Sequence, residues 1–278
     1  MSNYSEIRNQ IRRDIVRMVY NVQSGHPGGS LGCVELFTAL YFDVMDYNDS
    51  EFNMAGSNED IFYLSNGHIS PVWYSTMARK GIIPVAELNT FRKLDTRLQG
   101  HPTTAEHLDG IRVASGSLGQ GLSVALGHAQ AKKMAKDTKT VFVLMGDGEL
   151  QEGQVWEAAI YAGSRSINNI VGIVDVNGQQ IDGPVEEVMS LGNLRSKWES
   201  FGWDVSEVDG HNYEELKTVL LASKNRSDKS KPLCILMKTI MGKGVDFMEN
   251  THKWHGSPPN KDQMEMAMAQ LPSTLADF

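Results

Sequence analysis

Apolar positions along this chain follow two different rhythms. Ile7, Ile11, Ile15, Met18 and Val19 recur at helical spacing, so the chain opens with an amphipathic helix. The stretch "SGHPGGS" interrupts it, and a second helix is expected over "LGCVELFTALYFDVM". "IFYLSNGH" reads as a short strand ending in a turn, and helical patterns return over residues 70–79 and 85–93. After "LQGHP" comes a polar loop, then "SGSLGQGLSVALGHAQAKKMAK", a glycine-rich turn that opens into a helix. A regular alternation then sets in. Strands are expected at "TVFVLMG", "NIVGIVDVN", "WDVSEVDG" and "PLCILMKTI", with helices over residues 154–165, 194–201 and 213–223 between them. Asn212 and Glu215 stand at the spacing of a capping box for the last of these. "DQMEMAMAQLPSTLADF" reads as a final helix with a short tail.

The expected strands are continuous apolar runs separated by helices. That pattern belongs to a mainly parallel sheet covered on both faces, an α/β doubly wound fold. No internal repeat, low-complexity tract or linker divides the chain, so one domain is expected over residues 1–278.

Composition narrows the function. At 41% hydrophobic and 22% charged residues the chain reads as an ordinary folded soluble protein. A formal charge of −8 argues against a general nucleic-acid binder, which needs a basic face. It leaves room for a local phosphate site built from backbone N–H groups. Cys33 and Cys234 have no partner at metal or redox spacing and read as reduced core thiols. The first twenty residues are too polar for a signal peptide, and no apolar run approaches the ~20 residues of a membrane helix. The expectation is a cytoplasmic protein that binds neither membrane nor nucleic acid.

The most informative stretch is "VFVLMGDGELQEG", where a buried strand delivers Asp147 to its carboxyl end between Gly146 and Gly148. Ligands of open parallel sheets bind at that edge. The two glycines let the backbone turn tightly and let a ligand approach it. The next strand ends in "DVNGQQIDG" and brings Asn177 to the same edge. One carboxylate, one amide oxygen and a loop carbonyl form a hard-oxygen half-shell, which Mg²⁺ completes with phosphate oxygens and water. The competing reading of "GDG" by itself is a strand-to-helix turn with an N-cap aspartate.

"GDGELQEGQVWEA" followed by "VDVNGQQIDG" resembles the thiamine-diphosphate motif of transketolases. "SGHPGGSLG", "LSNGH", "QGHP", "SGSLGQGL", "KTIMGKG" and "THKWHG" also occur in transketolase order and span nearly the whole chain. The resemblance implies the thiamine-diphosphate-binding fold and two-carbon ketol transfer from a ketose, a sugar phosphate, to an aldose. It implies that Asp147, Asn177 and the Gln179 carbonyl ligate Mg²⁺ (or Ca²⁺). Gly146 and Gly148 would lie against the diphosphate, Ile181 near the thiazolium, and Gly116, Ser117 and Leu118 beside the cofactor. His26, His68, His101 and His255 match active-site histidines, with His68 and His255 near the diphosphate. Glu152 and Glu157 match acidic residues at an interface between subunits.

Transketolases usually carry three domains, and only the first is matched. The resemblance is therefore to the N-terminal subunit of a split transketolase, whose separate C-terminal subunit carries the pyrimidine-binding domain, in an assembly such as an α₂β₂ heterotetramer. Alternatives are a subunit of another thiamine-diphosphate enzyme, of dehydrogenase or decarboxylase type, or a non-catalytic scaffold of the same fold. His107, His128 and His211 match no motif and read as structural. Arg112 and Ser115 depart from the common pattern, which leaves the sugar substrate open.

Overall fold

The computed structural model describes residues 4–48, 51–226 and 230–278. Five parallel strands form the central sheet: β1 (Ile61–Leu64), β2 (Val141–Gly146), β3 (Ile170–Val176), β6 (Asp204–Asp209) and β7 (Leu233–Lys238), in the spatial order β1-β2-β3-β7-β6. A separate two-residue hairpin pairs β4 (Gln179–Gln180) with β5 (Gly183–Pro184). The register sets Gly146 opposite Asp175 and Val176 opposite Lys238, so the carboxyl ends of β2, β3 and β7 lie side by side.

Alternate residues of each inner strand face opposite ways and feed two cores. Phe62, Phe142, Ile173 and Ile235 join the helices α1 (Ser5–Val22), α2 (Pro27–Gly32), α3 (Val34–Ala39) and α4 (Ser70–Lys80). Tyr63, Val143, Val174 and Cys234 join α5 (Gln120–Met134), α6 (Gly153–Ser164), α7 (Val185–Met189) and α8 (Leu194–Ser200). On the first face, α9 (Tyr213–Lys224) and α10 (Lys261–Gln270) complete the cover. The parallel sheet covered on both faces is as expected. Cys33 and Cys234 are both free and buried.

Several local expectations are corrected. "SGHPGGS" does not merely interrupt a helix: Pro27 fills the first turn of α2, where its missing N–H costs nothing. The expected second helix breaks at Cys33 (φ −100°, ψ 8°) and ends in a π-turn over Leu40–Val44, closed by the Met45 amide donating to the Leu40 carbonyl. Residues 85–93 form only a 3₁₀ segment, Val85–Thr90. Strand β6 is not an apolar run: Val208 is buried, while Glu207 and Asp209 are exposed. It is an edge strand, and ion pairs of Asp204 with Arg226 and of Glu207 with Arg195 guard it against further pairing. The capping box at Asn212 is one-sided. Its side chain accepts the Glu215 amide at 3.3 Å, while its own amide donates to Asp209. A complete box occurs instead at Asn260 and Gln263 of α10.

Helix α6 rests so closely on the turn after α8 that a Cβ on Gly163 would lie 1.7 Å from the Phe201 carbonyl oxygen. That oxygen belongs to backbone and cannot swing away. Gly163→Ala is expected to lower stability by about 3 kcal/mol, read as a drop in denaturant midpoint with an unchanged m-value.

Candidate active site

The carboxyl ends of β2, β3 and β7 open into a cleft whose walls include Asn66, His68, Asp147, Asn177, Ile181 and His255. Leu118, Gln179 and Met241 also line it. Its floor is a pair of buried carboxyls. Asp147 is 3% exposed and Asp175 is 1% exposed. Asp147 accepts from the Gly148 amide at 2.8 Å and the Gly178 amide at 2.6 Å, and its own amide donates to the Asp175 carbonyl at 3.1 Å. Asp175 accepts from the Asn177 side-chain amide at 2.8 Å and from the Thr239 hydroxyl. The buried Cys33 thiol lies near enough to favour its charged form.

Burial, and then the neighbouring Asp175, push the Asp147 carboxyl up to about 7 against the pull of its backbone donors. Burial also raises Asp175. Two buried carboxyls at a strand edge invite a cation, and the donors present fit a hard divalent ion. The oxygens that could hold one are the Asp147 carboxylate, the Gln179 backbone carbonyl and Asn177 Oδ1, which accepts the Gln179 amide at 2.9 Å. Among the described residues no cluster of three or more His, Cys, Asp or Glu could hold a metal by itself.

Four loops bring four imidazoles to the cleft mouth. His26 stands at the N-cap of α2, and His68 lies in the 3₁₀ turn Gly67–Ile69 after β1. His101 follows Gly100, and His255 ends the 3₁₀ turn His252–Trp254. The His26 ring centroid lies 5.0 Å from that of His68, 6.1 Å from His101 and 5.7 Å from His255, and His68 lies 5.0 Å from His255. Burial depresses all four below the ordinary imidazole range. His26 falls to about 3, because His255, Arg92 and His101 add to its burial. All four are neutral at pH 7 and can accept or relay protons. His26 Nδ1, His255 Nδ1 and Asn66 Oδ1 are buried without a hydrogen-bond partner, as is the Ser115 hydroxyl. Such buried orphans are costly and suit a polar ligand.

The other expected residues fall into place unevenly. Gly116, with φ +117°, sits under the His101 ring, where a Cβ would come within 2.6 Å. Ser117 is exposed on the same loop, and Leu118 reaches the cleft. Ile181 is 55% exposed, a bare apolar side chain at the cleft wall. Gly148 is cradled by Gln180, 2.9 Å from the place of a Cβ. Glu152 and Glu157 lie outside the cleft and are exposed, with Glu157 in a shallow groove between α5 and α6. Arg112 is far from the histidines in role: it pairs with Glu59 at 2.5 Å and stacks over Phe52.

Three residues escape a reading of the sequence. Asp175 is marked only as a lone charge inside an apolar strand. Glu149, 2% exposed, ties three segments together: it accepts from Ser65, from the Gly119 amide at 2.8 Å and from the Gly146 amide at 3.1 Å. Arg92 donates to Ser24 at 3.0 Å beside the histidines. Nothing local in sequence marks Glu149 or Arg92, because their partners are distant in the chain.

The doubly wound sheet with a carboxylate and amide at adjacent strand tips defines a cofactor-binding α/β protein. The chain belongs to the family described as transketolase, thiamine diphosphate binding domain, whose profile matches residues 4–274. It is 40% identical over 260 residues to an apulose-4-phosphate transketolase subunit from Phocaeicola vulgatus, covering 94% of this chain and 90% of that protein. It is 37% identical to the 6-deoxy-6-sulfo-D-fructose transketolase subunit SqwG of a Clostridium species, covering 95% of this chain and 94% of that one. The crystal structure of transketolase from Campylobacter jejuni superposes with a TM-score of 0.87 at 32% identity, over 97% of this chain but 43% of that longer chain. The resemblance drawn from the motifs therefore holds for family and fold.

The raised Asp147 value has a defined sign. Its folded-state value, about 7, exceeds the ordinary 3.8, so the native cofactor-free chain holds an extra proton between those values. The stability this group contributes is complete below pH ~4 and is lost as pH rises through ~7. Against Asp147→Asn, wild-type stability is expected to fall across that window by an amount on the order of 3 kcal/mol. Denaturation midpoints at several pH values check this; parallel pH profiles would contradict it.

Proposed function

We propose that this chain is the thiamine-diphosphate-binding subunit of a two-chain transketolase. With a second polypeptide carrying the pyrimidine-binding domain, it moves a two-carbon ketol unit from a ketose phosphate to an aldose. One observation carries the reading: four neutral imidazoles converge over the cleft where Asp147 and Asn177 meet. The relatives matched over nine tenths of their length are named as transketolase subunits, which supports a division into two chains.

In this reading Asp147, Asn177 and the Gln179 carbonyl would hold Mg²⁺ (Ca²⁺ fits the same oxygen donors), which would supply positive charge for the diphosphate. Bound thiamine diphosphate supplies the electron sink for cleaving the bond beside a carbonyl. The chain supplies position and proton traffic. The Gly148 amide is taken up by Asp147, so Gly148 would serve by leaving room for the diphosphate, and Leu118 and Ile181 would give the ring apolar contact. His26 and His255 accept and return the proton of the donor's C3 hydroxyl, and His101 places the C1 hydroxyl. Their depressed basicity keeps them free of protons at neutral pH, as general bases require. Exposed Val124, Ile160 and Tyr161 lie near Glu152 and Glu157 on α5 and α6 and form the contact between copies in an α₂β₂ assembly.

Two measurements test this. In the complex with the second polypeptide, titration calorimetry with thiamine diphosphate and Mg²⁺ is expected to show about a hundredfold weaker binding for Asp147→Ala combined with Asn177→Ala, and loss of binding on chelation. Unchanged affinity would remove the metal assignment. Ketol transfer is expected only when both polypeptides are mixed; robust turnover by this chain alone would overturn the two-chain reading.

A further inference from the structure

His211 matches no motif, yet it occupies a junction. It follows β6 and its amide donates to the Asp209 side chain at 2.9 Å, which fixes the turn. Its Nε2 accepts the backbone amide of Ile240 at 2.8 Å. A ring nitrogen that accepts carries no proton, so the neutral ring is assigned its proton on Nδ1. Nδ1 has no closer partner and faces Glu35 Oε2 at 3.5 Å. Glu35 is buried on α3 and takes two hydrogen bonds from Arg12, at 2.7 and 2.8 Å. Burial raises the Glu35 carboxyl, but Arg12 and His211 together outweigh it and hold it at about 2. A charged carboxylate therefore lies beside Nδ1 without a hydrogen bond to it, and the opposite ring nitrogen holds an amide.

The held segment is the loop after β7. Thr239 donates to Asp175 under the cleft floor, and Met241 is part of the cleft wall. The Gly242 amide donates to the Gly28 carbonyl at 2.9 Å, joining the loop to the helix that starts beside His26. Arg12 Nε donates to the Lys243 carbonyl at 3.1 Å, so the same arginine clamps both Glu35 and the loop. Contact at Gly28 is close: a Cβ there would lie 2.7 Å from Met241 Cγ. A shift of the loop would move Met241, release Thr239 from Asp175 and loosen the start of α2.

We infer that His211 is a positioning residue: set in its turn by Asp209 and beside Glu35, it fixes the Ile240 amide and so keeps residues 239–242 closed against α2 as one wall of the cofactor cleft. The assignment of that cleft to thiamine diphosphate rests on the function proposed above; the loop's dependence on His211 does not.

Substitutions separate this from a general packing role. Gln can place an acceptor near the Nε2 position, whereas Asn reaches only the Nδ1 position and Ala neither. On the full chain, hydrogen–deuterium exchange of the peptide containing Ile240 is expected to speed up about tenfold or more in His211→Ala and His211→Asn. His211→Gln is expected to stay close to wild type, and β3 peptides are expected to be unchanged in all three. Should the alanine variant fail to fold, the Asn–Gln pair decides. Equal exchange at the Ile240 peptide in Asn and Gln variants, or uniform loss of protection across the sheet, would overturn the inference. In the assembled enzyme the dissociation constant for thiamine diphosphate with Mg²⁺ is expected to rise about tenfold in His211→Asn and to recover in His211→Gln, with kcat at saturating cofactor retained. Absence of cofactor binding by the wild-type complex would defeat the proposed function, while the exchange comparison would still decide the role of His211.

Discussion

Two carboxyl groups from adjacent strands share the buried end of this sheet. Asp147 and Asp175 are locked together by backbone register, since Gly146 pairs with Asp175 and the Asp147 amide donates to the Asp175 carbonyl. Burying like charges is costly, and each carboxyl is kept in place by donors: two backbone amides for Asp147, and Asn177 and Thr239 for Asp175. Protonation relieves this repulsion as well, since burial and the neighbouring carboxyl raise Asp147 to about 7.

Polar residues that look independent in sequence form linked supports for the cleft. Glu149 gathers the ends of β1 and β2 and the glycine loop before α5. Thr239 joins the loop after β7 to Asp175, and Gly242 joins it to Gly28. The cleft is thus built on strand ends and tied loops rather than on free segments, which suits a site that must hold ligand atoms to within fractions of an ångström. The histidines are kept neutral chiefly by burial, with Arg92 adding to it at His26 and His101, so the mouth of the cleft carries unprotonated basic nitrogens beside one fixed positive charge.

The outer surface bears on assembly. Ile181 at the cleft wall, and Val188 and Met189 on α7, are large apolar side chains left exposed in this chain. Under the proposed function they and the groove beside Glu157 are surfaces that other polypeptides cover. The chain spans 43% of the Campylobacter jejuni transketolase but nine tenths of the subunit-type relatives.

Sequence alone determined the parallel sheet, its two covered faces, and the Asp147 and Asn177 tips, because each is written in a local run of apolar residues ended by glycine. The four histidines were legible too, since each lies in its own short Gly- or Pro-rich motif. Tertiary structure alone decided which of these meet. The convergence of His26, His68, His101 and His255 needs four loops, the outermost pair 229 residues apart, to return to one sheet edge. Local signals misled where packing overrode them: the helix broken at Cys33, the edge strand β6, and the 3₁₀ segment after Pro84. Glu149, Asp175 and His211 were invisible as working residues for the same reason. A buried polar side chain is defined by its distant partners, and hydrophobic periodicity carries no information about hydrogen bonds across the fold.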